Sequence, residues 1–217
     1  MTLKQALGSL LLAALLFSAR PAGAIVHGKA VTGDESFAHA VVGIRLMDDD
    51  GVAGDCTGTM LTHRIVLTAA HCVRDSKSVE VVFDFSMKGT HKLAVSRIVV
   101  HPDYAPKKDT LSPGDLAILF LPPHDYQTTA IPLDGDLSFT VGEQFTIVGF
   151  GRSDPIKWNS MGTMRKAGIV ASGFETPQDV GLVPTGDAWP CKGDSGGPIM
   201  RKDMSGRYAL TGVLSGG

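Results

Sequence analysis

Short apolar runs alternate with clusters of glycine, aspartate, proline and serine along most of the chain. Five such runs, rich in Val, Ile, Leu and Phe, occupy residues 40–47, 65–68, 79–85, 93–101 and 116–121. After a connection rich in proline and aspartate at 122–136, four more follow at 144–149, 164–171, 198–200 and 208–214. Runs of this length between turn-forming residues are typical of β-strands. The pattern therefore predicts an all-β protein built from two successive sets of strands.

The first 24 residues follow a different pattern. Lys4 is followed by an apolar stretch at 6–17, and the small residues Ala22, Gly23 and Ala24 close the segment. This order is typical of a secretory signal peptide with a cleavage site after Ala24. A membrane anchor is the alternative, but the apolar stretch is shorter than the ~20 residues that a spanning helix needs. We therefore predict a secreted or periplasmic protein without a membrane anchor.

Composition supports one globular unit. The chain has 217 residues, of which 43% are hydrophobic, with 26 glycines and 12 prolines, and this suits a turn-rich domain with a sizeable core. The formal net charge is −2. Removal of the signal peptide takes away Lys4 and Arg20 and leaves 18 basic and 22 acidic residues. No basic patch in the sequence indicates nucleic-acid binding.

Three separate segments carry residue types suited to nucleophilic catalysis. Residues 191–198 read Cys-Lys-Gly-Asp-Ser-Gly-Gly-Pro, and glycines around Ser195 permit a turn that presents the hydroxyl and aims backbone N–H groups at one point. A plain tight turn is the alternative for that segment alone. His71 lies in Thr-Ala-Ala-His-Cys, and Asp115 precedes the apolar run 116–121. Alone, either is an ordinary structural residue; together the three supply serine, histidine and aspartate.

Through these segments, the chain from residue 25 to the end resembles the chymotrypsin-like, or trypsin-like, serine proteases. Within that family it is most similar to a bacterial-type exported member. The chain order His71, Asp115, Ser195 matches that family rather than subtilisins or α/β-hydrolases. The resemblance implies two six-stranded-type antiparallel β-barrels, about 25–135 and about 136–217, with the second incomplete at its C-terminal part. The three catalytic residues are then expected in the cleft between the barrels.

The resemblance also implies roles for neighbouring residues. Backbone N–H groups of Gly193 and Ser195 are expected to form the oxyanion hole. Residues 215–217, which are Ser215, Gly216 and Gly217, resemble the strand that pairs with the substrate backbone.

Position 189 bears on specificity. Trypsin-like relatives carry an aspartate six residues before the nucleophile, at the base of the specificity pocket, and this chain has Trp189 there. We therefore expect poor cleavage after Arg or Lys and a preference for smaller or apolar residues. Asp187, or an acid C-terminal to the sequence, stays open as a substitute.

Activation follows from the predicted cleavage. In the family, a new N-terminus beginning Ile-Val inserts into the protein and its ammonium pairs with the aspartate before the nucleophile; here these residues are Ile25 and Asp194. Because no propeptide fits between the signal and Ile25, we expect signal peptidase itself to produce the active form.

The cysteines and histidines define further expectations. Cys56 and Cys72 are 16 positions apart, and in an exported protein they are expected to form a disulfide; zinc is a weaker alternative without a CxxC pair. Cys191 is left over, since its partner in the family follows the segment at 212–217 where the sequence stops; a truncated product and different packing both stay open. The spacing of the histidines does not indicate a metal site. Asp48–Asp50 is most simply the tip of a hairpin, although three carboxylates could also attract calcium. No cofactor is expected.

The combined expectation is an exported serine endopeptidase that acts on polypeptide substrates as a monomer, with protein inhibitors as further partners. The alternative is a non-catalytic binding protein on the same fold. An esterase is a variant of the first, because the same acyl chemistry cleaves esters.

Overall fold

The computed structural model describes residues 25–107, 112–136, 138–157, 160–175 and 179–216. The predicted signal peptide and Gly217 lie outside these ranges. No helix in the described ranges is long and apolar enough to cross a membrane.

The N-terminal half forms a seven-stranded antiparallel sheet. Its strands are β2 (Val41–Asp48), β3 (Gly51–Thr62), β4 (Ile65–Thr68), β5 (Ser78–Val82), β6 (Lys92–Ala94), β7 (Arg97–Val100) and β8 (Ala117–Phe120). They are ordered β6-β5-β2-β3-β4-β8-β7. A short 3-10 helix, Ala38–Ala40, precedes β2, and one α-helical turn, α1 (Ala70–Val73), follows β4.

A second antiparallel sheet has six strands, five from the C-terminal half and one from near the N-terminus. These are β1 (Lys29–Ala30), β9 (Gln144–Gly149), β10 (Arg165–Phe174), β11 (Val180–Pro184), β12 (Pro198–Lys202) and β13 (Tyr208–Val213). The order is β1-β10-β9-β12-β13, with β11 also paired to β10. An all-β fold with two sheets, as in chymotrypsin-like proteins, is therefore confirmed.

Alternating burial explains how the apolar runs form these sheets. In β8, Ala117 and Leu119 are buried, and they pair with the buried Thr68 and Val66 of β4. Side chains alternate between the two faces of a strand, so each apolar set lines one face and packs into the core. A second apolar cluster in the other sheet includes Ile25, which is fully buried.

The run at 93–101 is interrupted in the structure. Val95 N–H donates to Val79 O of β5 (2.8 Å), whereas the next residue, Ser96, donates to Phe120 O of β8 (2.8 Å). The chain thus changes its pairing partner within two residues, and one predicted strand becomes β6 and β7.

Candidate active site

Sheet register brings His71 and Asp115 together. Thr68 of β4 pairs with Ala117 of β8, so the residue just after β4 lies beside the residue just before β8. His71 Nδ1 lies 2.7 Å from Asp115 Oδ2, and the backbone N–H of His71 donates to Asp115 Oδ1 (2.8 Å). Because a carboxylate only accepts hydrogen bonds, Nδ1 carries the proton and Nε2 is left as the acceptor.

Asp115 has a third donor that lies 100 positions away in the sequence. The Ser215 hydroxyl, just beyond β13, donates to Asp115 Oδ2 (2.5 Å). Burial alone raises the pKa of Asp115, but the hydrogen bonds from His71 and Ser215 outweigh it and lower the pKa below its usual value. Asp115 is therefore ionised at neutral pH and fixes the orientation of the His71 ring.

The expected disulfide between Cys56 and Cys72 is confirmed, with their Cα atoms 6.3 Å apart. It ties β3 to α1 and so supports the turn that carries His71.

Cys56, Cys72 and His71 place potential ligand atoms within 4.8 Å of one another. Sulfurs joined in a disulfide are not thiolate ligands, so this group does not form a metal site. Among the described residues, Cys191 is the free cysteine.

The turn that carries Ser195 is held by the opposite sheet. Thr57 of β3 donates through Oγ1 to Gly193 O (2.8 Å), and its backbone N–H donates to Ser195 O (2.9 Å). Thr57 Oγ1 also accepts from Phe150 N–H (3.0 Å). The sequence reading missed Thr57, because nothing local marks a threonine in a polar strand as a support for a turn 136 positions away.

The two expected oxyanion donors are available. In the part of the chain that the structure describes, the backbone N–H groups of Gly193 and Ser195 have no hydrogen-bond acceptor. Gly193 has φ of +98°, and a Cβ there would lie 2.8 Å from Gly151 Cα. Only glycine fits this conformation and this close approach.

The serine and histidine side chains are less directly joined. Ser195 is half-buried, and among the described residues its hydroxyl makes no hydrogen bond to His71 Nε2. Nε2 lies 3.7 Å from Cys72 Sγ. In hydrolases this contact is often long without substrate and tightens in the reacting complex.

Asp194 lies in a closed site behind the turn and is 1% exposed. Its carboxylate accepts from the N–H groups of Gly151 (2.8 Å) and Cys191 (2.8 Å) and from the backbone of Ile25. Burial is the main influence and raises the pKa of Asp194 to about 7. Neighbouring glycines make the space, since a Cβ on Gly149 would lie 2.2 Å from Asp194 Oδ1.

The residues expected at the specificity pocket are only partly enclosed. Trp189 pairs through its backbone with Val26 (N···O distances 3.0 and 3.1 Å), while the residue is 52% exposed. Ser215 and Gly216 follow β13, and Gly217 lies outside the described residues.

Gly196 provides a test of how tightly the turn is packed. It has φ of +81°, and a Cβ would lie 2.1 Å from Thr68 Oγ1 and 2.3 Å from Thr57 O. We expect Gly196→Ala to lower the free energy of unfolding by about 3 kcal/mol, measured by urea denaturation. Gly206 is the matched control: its φ is +85°, but its nearest neighbour is Lys202 Cε at 3.6 Å. Gly206→Ala should cost about 1 kcal/mol from backbone strain alone. Equal losses in the two variants would contradict the close packing.

The fold and this arrangement define a protein of the chymotrypsin-like class. A family model described as Trypsin matches residues 30–217, and the chain belongs to the trypsin family. Similar proteins include chymotrypsin from Phaedon cochleariae, 28% identical over 169 residues, which are 67% of this chain and 58% of that protein. Serine protease SP24D from Anopheles gambiae is 29% identical over 207 residues, 82% of this chain and 68% of that protein.

A third relative, serine protease filzig from Drosophila melanogaster, is 28% identical over 197 residues, 75% of this chain. The match covers 11% of that protein's length. The chain thus spans less than two thirds of both filzig and the Phaedon chymotrypsin.

Proposed function

We propose that this protein is an exported serine endopeptidase that uses Ser195, His71 and Asp115. The observation that carries the proposal is the Asp115 carboxylate, which is bound to His71 Nδ1 and kept ionised by hydrogen bonds from His71 and Ser215. Membership of the trypsin family adds polypeptides as the substrate class. The Cys56–Cys72 disulfide fits a secreted or periplasmic location, because disulfides persist in oxidising compartments.

The reaction proceeds in two acyl-transfer steps. Ser195 Oγ attacks the scissile carbonyl while His71 Nε2 takes its proton, and His71 then gives that proton to the leaving amine. Water hydrolyses the resulting acyl-enzyme in the same way. Asp115 stabilises the imidazolium, and the N–H groups of Gly193 and Ser195 bind the oxyanion, each donor being worth roughly 3–4 kcal/mol in the transition state.

Maturation is the second part of the proposal. Cleavage after Ala24 converts the backbone nitrogen of Ile25 into an ammonium next to Asp194, whose carboxylate that nitrogen already contacts. No separate activating cut is then needed. Secreted protein whose N-terminal residue, by intact mass, is not Ile25 would contradict this step.

We infer the specificity from Trp189, which stands where trypsin-like relatives carry the aspartate of the specificity pocket. An indole offers no carboxylate to an arginine or lysine side chain, so we expect kcat/KM after Arg or Lys to be at least about tenfold below that after small or apolar residues. A peptide library with a randomised residue before the cleaved bond measures this ratio. Trp189→Asp should raise cleavage after Arg and Lys. Efficient cleavage after Arg by the unaltered protein would overturn the assignment.

A non-catalytic binding protein is the second candidate. The observation in its favour is that the Ser195 hydroxyl and His71 Nε2 form no hydrogen bond within the described residues. Labelling with a fluorophosphonate separates the two candidates, because this probe reacts only with an activated serine. We expect labelling of the secreted protein and none of Ser195→Ala. A folded protein that stays unlabelled would favour the binding-protein candidate.

A further inference from the structure

A groove of 1260 Å³ lies apart from the catalytic side chains. Its walls come mainly from four segments: residues 27–30, 153–157, 165–168 and 185–188. His71, Asp115 and Ser195 are not among its lining residues. We call this surface the basic groove.

The charge of the basic groove is opposite to that of the whole chain. Lys29, Lys157, Arg165 and Lys166 line it, and the carboxylates among its lining residues are those of Asp154 and Asp187. Lys157 Nζ lies 3.5 Å from Asp154 Oδ2, so these two charges already form an exposed ion pair. The chain as a whole has a formal net charge of −2. Positive charge is therefore concentrated here on a protein that is otherwise slightly acidic.

Two of these cations face each other directly. Lys29 of β1 and Lys166 of β10 are paired residues of the antiparallel ladder, where like charges are destabilising. Burial lowers the pKa of Lys166, and the nearby charges of Lys29 and Lys202 lower it further. Glu35 binds the Lys166 ammonium from outside the groove. A further anion near Lys29 would relieve the remaining repulsion.

The basic groove continues into the segments that shape the candidate active site. Residue 153 follows Arg152, whose backbone N–H donates to Lys192 O (2.9 Å) beside the nucleophile turn. Residue 188 precedes Trp189, and residue 27 follows Val26, which pairs with Trp189. A chain bound in the groove therefore lies next to the backbone that holds the turn and the pocket base.

We propose that the basic groove binds an acidic segment of the polypeptide substrate, away from the bond that is cleaved. This deepens the proposed function, on which it rests, by naming a feature of the substrate. Asp154 and Asp187 favour a polypeptide over a nucleic acid: a polypeptide offers N–H donors to these carboxylates between its own acidic side chains, whereas a phosphate backbone meets them with repulsion.

The test measures binding without catalysis. A fluorescein-labelled octapeptide of alternating Glu and Gly is titrated with the Ser195→Ala protein, and Kd is read from fluorescence anisotropy at 50 mM and 300 mM NaCl. We expect saturable binding that weakens at the higher salt concentration, because screening acts on exposed charge pairs. A peptide of alternating Gln and Gly should not bind.

Matched double variants locate the site. Lys29→Gln with Lys157→Gln removes two groove cations and should raise Kd about fivefold. Lys88→Gln with Lys107→Gln removes the same charge from exposed positions outside the groove and should leave Kd unchanged. Equal Kd values for the two variants, or tighter binding of a single-stranded oligonucleotide than of the acidic peptide, would overturn the proposal. Because the assay uses Ser195→Ala, its outcome is independent of the fluorophosphonate result.

Discussion

Replacing Asp115 by asparagine is expected to lower the rate of fluorophosphonate labelling by about 10⁴-fold while the protein stays folded. The carboxylate accepts from His71 Nδ1, from the His71 backbone and from the Ser215 hydroxyl. An amide of nearly the same shape presents an N–H₂ group on one side. When that group faces Nδ1, the imidazole must place its proton on Nε2, which can then no longer accept the proton of Ser195.

Ser215→Ala is the control for this prediction. It removes one donor to Asp115 and leaves the carboxylate and its bond to Nδ1 in place. We expect a loss of about tenfold in the labelling rate, since one hydrogen bond to a charged group is worth roughly 1.5–3 kcal/mol and only part of it bears on the orientation of His71. Equal labelling of Asp115→Asn and the unaltered protein would show that Asp115 does not set the tautomer.

The sequence was most informative where local pattern and burial coincide. Residues 65–68 and 117–120 alternate between buried and half-buried positions, and they form β4 and β8 close to the predicted bounds. The strand Gly51–Thr62 was harder to predict, because it is rich in glycine and threonine and buries Thr57 and Thr59. Its burial comes from neighbouring strands and from the nucleophile turn, which a local window of sequence does not include.

The same limit applies to the candidate site. Local motifs predict His71, Asp115 and Ser195, but they do not predict the long-range contacts that position these residues. The Ser215 hydroxyl on Asp115 and the Thr57 hydroxyl on Gly193 each join residues at least 100 positions apart. Such contacts depend on how the two sheets meet, so residue spacing alone does not reveal them. The half-exposed Trp189 is likewise a property of the packing around it.

The largest expected effect on stability concerns Asp194 and the nitrogen of Ile25. While that nitrogen belongs to a peptide bond, the buried carboxylate has no cationic partner among its hydrogen-bond donors, and burial raises its pKa from 3.8 to about 7. A raised carboxyl pKa means that the folded state binds the proton more tightly than the unfolded state does. The contribution of Asp194 to the free energy of unfolding is therefore greatest below about pH 4 and is lost as the pH rises through 7, by about 4 kcal/mol in total.

Cleavage before Ile25 should remove this loss. The new ammonium provides a charge partner for the ionised carboxylate, which then no longer favours the protonated form. We expect a chain that begins at Ile25 to exceed one that retains Ala22, Gly23 and Ala24 by about 4 kcal/mol in free energy of unfolding at pH 7.5, and by much less at pH 4. Urea denaturation of both forms, each carrying Ser195→Ala to prevent self-cleavage, measures the difference.

Asp194→Asn in the longer form separates this electrostatic cause from any other effect of the extra residues. A neutral amide has no pH-dependent charge, so this variant should lack the loss of about 4 kcal/mol that Asp194 causes between pH 4 and pH 7.5. If the longer form lost no stability across this range, Asp194 would not be the group that responds to processing. A loss of stability in the longer form that Asp194→Asn abolishes would show that the buried carboxylate destabilises the precursor. Pairing of the same carboxylate with the Ile25 ammonium then stabilises the mature protein and holds the Gly193–Ser195 turn in place.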